Sequence, residues 1–155
     1  MQGKIFVSYR RDDERAMAAR IRDRLAQVFG EGNVFMDVDH LSPGQRFDVE
    51  LHRALRETSV FIAIIGSRWL NILQARRASR EPDFVRAEIA SAINYRIPVI
   101  PLLLEGTPLP RPQDLPDDIR GLMMHQIHMP KCKSYVNWHF GLRAWCGAHL
   151  NDMVR

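Results

Sequence analysis

Val60-Phe61-Ile62-Ala63-Ile64-Ile65 is apolar at every position, without the polar alternation of a strand that wets one face. Such a run predicts a central strand of a parallel sheet, covered on both sides by helices. Outward from it, Lys4 to Tyr9 (KIFVSY), Asn33 to Asp37 (NVFMD) and Val99 to Leu104 (VIPLLL) are further short runs rich in β-branched, aromatic and aliphatic residues. His125 to Met129 predicts a weaker fifth strand.

Between these runs the apolar period changes to that of a helix. Asp12, Asp13 and Glu14 put negative charge where a helix start favours it, and Met17, Ile21, Leu25 and Val28 recur on one side up to Gly30. Phe47, Leu51, Ala54 and Leu55 mark a second helix after a polar loop. Val85, Ile89, Ala92 and Ile93 mark a third, with Pro82 in its first turn and Ile97-Pro98 as its stop. Glu105 to Asp118 is a proline-rich irregular connection, with a short helix expected near Asp117 to Met123. A closing helix over Tyr135 to Leu150 carries Trp138, Leu142 and Trp145 on one side.

Strands alternating with helices predict an α/β fold, a flavodoxin-like five-stranded parallel sheet with helices on both faces. The expected organisation is one domain over residues 4–150, with 151–155 as a C-terminal tail or the start of a linker. Ligands on such sheets bind outside the carboxyl ends of the strands. The search for chemistry therefore narrows to Tyr9–Asp13, Asp37–Phe47, Gly66–Glu88 and the chain from Leu104 onward.

Composition and motifs remove several functions. Hydrophobic residues are 46% and charged residues 26% of the chain, an ordinary globular balance. The apolar runs are too short to span a bilayer, and strand-like residues begin at Lys4 without room for a leader, so the expected location is cytoplasmic with no membrane partner. The net charge of +4 comes from basic residues interspersed with acidic ones, which makes nucleic acid an unexpected partner. No Gly-x-Gly-x-x-Gly or P-loop motif occurs, and Ile65-Gly66-Ser67 stands where a receiver domain would carry its acceptor aspartate. Cys132 and Cys146 have no ligand spacing, and His125-x-x-His128 on a strand would turn its side chains to opposite faces, so no metal is expected.

Four motifs in order resemble a bacterial Toll/interleukin-receptor (TIR) domain of the NAD-cleaving branch, over about Lys4 to Leu150. KIFVSYRR (Lys4 to Arg11) is similar to the family's first box, and FMDVDHLSPGQRF (Phe35 to Phe47) to its second strand and following loop. Arg68-Trp69 resembles the end of the third strand, and DFVRAE (Asp83 to Glu88) the helix segment bearing the catalytic glutamate. Where catalytic members usually carry tryptophan four residues before that glutamate, this sequence has Phe84, which keeps an aromatic face without the indole donor.

The resemblance implies cleavage of NAD, as substrate and not as cofactor, with Glu88 as the catalytic carboxylate, and a role in bacterial defence signalling or host interaction. Ser8, Tyr9, Arg10, Arg11, Asp37, Phe47, Trp69 and Phe84 are the expected substrate-binding residues. Arg10 and Arg11 suit a pyrophosphate because a guanidinium grips phosphate in bidentate fashion. Phe47, Trp69 and Phe84 offer flat faces to the bases, and Asp37 is expected to hold its loop by backbone hydrogen bonds. The loop Asp39, His40, Leu41, Ser42, Pro43, Gly44, Gln45 and Arg46 is expected to contact a second copy, giving a homo-oligomer. Taken without the family, Glu88 reads as an exposed helix carboxylate paired with Arg86 or Arg96, and the competing function is a non-enzymatic TIR module acting by self-association.

Overall fold

In the computed structural model of the chain, residues 3–36, 46–104 and 106–124 are described. They build a parallel sheet of four strands, β1 (Lys4–Ser8), β2 (Val34–Met36), β3 (Thr58–Ile65) and β4 (Val99–Leu103), in the order β2-β1-β3-β4. The helices are α1 (Arg11–Phe29), α2 (Phe47–Arg56), α3 (Trp69–Ser79) and α4 (Phe84–Asn94). Two 3-10 segments, Pro112–Asp114 and Asp117–Met124, follow β4. The expected fifth strand at His125 to Met129 and the helix at Tyr135 to Leu150 lie outside the described residues, as do Asp37 and the loop from Asp39 to Gln45.

β3 explains the continuous apolar run. Its residues alternate between two cores: Val60, Ile62 and Ile64 join Ile5, Val7 and the α1 residues Ala18, Ile21 and Leu25 on one face. Phe61, Ala63 and Ile65 join Phe6 and residues of α2, α3 and α4 on the other. Both faces are dry, so neither set of positions tolerates a polar residue. Phe6 and Phe61 stack across β1 and β3 with centroids 5.0 Å apart and planes 8° apart. Such offset aromatic pairs add about 0.5–1.5 kcal/mol beyond their area burial.

Several boundaries differ from the sequence reading. The apolar stripe of α1 runs through Ala18, Ile21, Leu25 and Phe29, while Val28 is exposed. Pro82 stands just before the cap of α4 and not in its first turn, because Asp83 caps the helix with its side chain. Arg68-Trp69 does not end the third strand. β3 stops at Ile65, and Trp69 opens α3, a helix unseen in the sequence because only Trp69 and Leu73 of its eleven residues are buried. None of the helices among the described residues is long and apolar enough to cross a membrane.

Strand order reverses between β1 and β3, since β2 lies on one side of β1 and β3 on the other. Such a switch point leaves a crevice at the carboxyl ends of the strands, here beside Ser8 and Ile65.

Candidate functional site

Three helices begin around that crevice, and a connected set of polar contacts fixes their starts. Asp13, in the first turn of α1, accepts the Gly66 N–H at Oδ2 and the Arg68 N–H at Oδ1, each at 2.8 Å. The turn between β3 and α3 is thereby tied to α1. Gly66 has no space for a side chain: a Cβ there would stand 2.3 Å from Glu14 Cγ and 2.5 Å from Asp13 Oδ2. At the same place α1 is kinked, for Glu14 leaves helical geometry at φ −136° and ψ 53°.

The turn delivers Trp69 into the core with no exposed surface, and the Arg10 guanidinium lies 5.1 Å from the centre of its ring. Arg10 is itself buried, and its Nη1 and Nη2 donate to Asp83 Oδ1 at 2.9 Å and Oδ2 at 2.8 Å. Asp83 in turn accepts the Arg86 N–H at 3.2 Å, capping α4. One aspartate therefore closes a bidentate pair with β1's exit and starts the helix that carries Glu88.

On that helix Glu88 is 6% exposed, one turn beyond the half-exposed Phe84. Ser8 Oγ, from the end of β1, donates to Glu88 Oε2 at 2.9 Å in a buried contact. The alternative of an exposed carboxylate paired with Arg86 or Arg96 does not hold, since Glu88 is buried, and Arg86 donates from Nε to both oxygens of Asp118 at 3.0 Å. Phe84 packs against Phe47 with ring centres 4.6 Å apart, tilted by 50°. A cavity of about 310 Å³ opens between the start of α1 and the start of α4, lined by Tyr9, Arg10, Arg11, Arg76, Asp83 and Phe84 among others. Glu88 is buried and is not part of this lining.

The expected residues thus fall into groups. Ser8 and Glu88 meet directly, while Tyr9, Arg11 and Phe84 share the cavity wall. Trp69 does not offer a face to a ligand, because it is enclosed and covered by Arg10. Arg10 does not present a free fork to pyrophosphate, because both terminal nitrogens are held by Asp83. Arg46 is exposed and donates to Asp48 at 2.8 Å. Asp13, Arg76 and Asp83 were not among the site residues expected from the sequence, although Asp13 was read as a helix-start charge and Asp83 as part of the DFVRAE motif. An aspartate before a helical period is a cap signal, and at Asp83 the neighbouring Pro82 obscured it.

A family model described as TIR domain matches residues 5–133. The chain belongs to the TIR family. Its sequence is 31% identical over 153 residues to the NAD(+) hydrolase sarm1 of Drosophila melanogaster, covering 97% of this chain and 10% of that protein. The chain thus spans about a tenth of the length of the curated relative it matches. Among solved structures, a metazoan TIR-STING receptor from C. gigas superposes with a TM-score of 0.53 at 20% identity, covering 92% of this chain and 40% of that one. That likeness supports the TIR fold and extends no further.

Proposed function

We propose that this TIR domain cleaves the bond between nicotinamide and ribose in NAD, with Glu88 as its catalytic residue. The observation that carries the reading is a carboxylate withdrawn from water at the switch point of the sheet, held by Ser8 Oγ and one helical turn from an aromatic residue at the cavity. The similarity to a protein named as an NAD(+) hydrolase supports the same substrate.

The chemistry needs little else. The nicotinamide ring of NAD is cationic, so when its bond to ribose C1′ breaks, the electron pair leaves with the ring nitrogen and the ring becomes neutral without a proton. Positive charge develops on C1′ and the ribose ring oxygen. A fixed carboxylate stabilises that cation more than the neutral ribose of the substrate, and a site poor in water strengthens the effect. Water attacking C1′ and losing a proton to solvent yields ADP-ribose, whereas attack by a nitrogen of the adenine yields a cyclic isomer. Phe84, backed by Phe47, would offer an aromatic face to a planar base, and Tyr9 and Arg11 line the same cavity.

We assign self-association to the loop from Asp39 to Arg46, so that activity rises faster than linearly with protein concentration; a linear rate down to nanomolar protein would count against this. In this reading the products serve defence signalling or host interaction. The test of Glu88 is nicotinamide release from NAD by the purified chain and by Glu88→Gln. Gln keeps an oxygen to accept from Ser8 but lacks the charge, so turnover should fall by about a hundredfold or more. The melting temperature should move by no more than a few degrees, roughly the effect of 1 kcal/mol. An unchanged rate would place the chemistry elsewhere, and a lost rate with unfolding would make Glu88 structural and favour the self-associating module.

A further inference from the structure

A second cavity, of about 410 Å³, lies where α3 ends and α4 begins, and four of its lining residues are Arg76, Arg77, Arg80 and Arg86. It adjoins the cavity at Phe84, with which it shares Arg76 and Asp83. Its carboxylates do not balance these cations. Asp83 is engaged by Arg10 and Asp118 by Arg86, which leaves Glu81 as the one other carboxylate in the lining against the three guanidinium groups of Arg76, Arg77 and Arg80. Arg76 Nη1 donates to the Pro82 carbonyl at 2.9 Å, a neutral partner that holds the guanidinium in place between the two helices. Among the described residues, the side chains of Arg77 and Arg80 make neither a hydrogen bond nor an ion pair, and the Arg80 backbone N–H donates to the Arg76 carbonyl.

The end of α3 explains part of this and not the rest. Arg76 and Arg77 lie in the last turn, where cations complement the helix dipole. Arg80 follows as the cap, at φ 57° and ψ 27°, in the left-handed conformation where glycine or asparagine is the usual residue. An arginine there carries backbone strain and brings a third cation to a crowded place, which packing and helix stability do not require.

We infer that this cavity binds a small molecule bearing two or more linked phosphates. Guanidinium groups match phosphate oxygens in bidentate pairs, and several converging on one concavity require more than one negative charge to neutralise them. The site stands independently of whether Glu88 cleaves NAD. Its ligand is either the pyrophosphate of a dinucleotide reaching past Arg76 from the Phe84 cavity or a separate polyphosphate.

Calorimetric titration of inorganic pyrophosphate into the chain tests the site without any turnover. Binding is expected below millimolar concentration, and the double variant Arg77→Ala/Arg80→Ala should weaken it at least tenfold while leaving the melting temperature unchanged. No heat of binding, or equal binding by the variant, overturns the proposal. Kinetics on NAD then identifies the source. If the site holds the substrate's own pyrophosphate, the variant raises KM with kcat unchanged and added pyrophosphate competes with NAD. If the ligand is separate, KM stays put and pyrophosphate acts without competing. Either pattern upholds the site.

Discussion

Two arginine–aspartate pairs flank the start of α4, chemically alike and physically different. In Arg10–Asp83 the side chains are 3% and 7% exposed, with both terminal nitrogens of the arginine on both oxygens of the acid. In Arg86–Asp118 they are 34% and 44% exposed, and a single Nε reaches both oxygens at 3.0 Å. Water can replace either partner of the second pair at little cost. It has little access to the first, where losing one partner strands a largely buried charge. The buried pair therefore fixes where α4 begins relative to β1, and with it the meeting of Ser8 and Glu88, whereas the exposed pair adds little more than solubility and local order.

The strongest test of this difference is Asp83→Ala. It leaves the Arg10 guanidinium buried without an anion and removes the cap of α4, so the expected loss is about 3–5 kcal/mol from the charge alone, with about 1 kcal/mol more from the cap. Denaturant unfolding measures it. A loss under about 1 kcal/mol would mean that water enters the pair and that it positions nothing. The double variant Arg10→Met/Asp83→Leu sharpens the point, because replacing both charges with apolar groups of similar volume should recover much of the stability even though the cap stays lost.

Asp13 sits between these extremes. Its two carboxylate oxygens each hold one backbone N–H of the turn before α3, in contacts that are part-buried at Gly66 and exposed at Arg68. Asp13→Ala should cost about 1–3 kcal/mol, the range for orphaning a buried donor. Amide hydrogen exchange should speed up at Gly66 and Arg68 ahead of the rest of the sheet. Protection that stays unchanged at Gly66 would show that the strand end holds the turn by itself.

The sequence made the sheet readable but not this network. β3 was legible because both faces of Val60 to Ile65 are apolar, whereas Glu88 stood out only through the resemblance of its motif, and its burial was not foreseen without that resemblance. α3 was not, since Trp69 and Leu73 alone give no period and the rest of the helix is polar or exposed. Arg10 and Asp83 stand 73 positions apart, so no local pattern joins them, and an arginine after a strand reads the same whether it faces phosphate or a buried carboxylate. Burial decides between those two, and it is a property of the assembled fold. The same holds for Trp69, whose position at a strand end suggested an open aromatic face until the helix it begins turned it inward.

The smallest expected effect belongs to Arg86→Ala. The pair it breaks is open to solvent, and exposed pairs contribute about 0–1 kcal/mol because attraction in water is weak and two long side chains must be ordered to gain it. The unfolding midpoint should therefore shift by no more than a few degrees. Salt separates this variant from Asp83→Ala more clearly than size does. At about 1 M ionic strength the screening length falls to about 3 Å, so whatever the exposed pair contributes should vanish and Arg86→Ala should unfold with the unmodified chain. The Asp83→Ala deficit should largely persist there, because buried charges are screened much less than exposed ones. If salt erased both deficits alike, the Arg10–Asp83 pair would be behaving as a surface contact, and the start of α4 would have to be held by its apolar face against β1 and β4 instead.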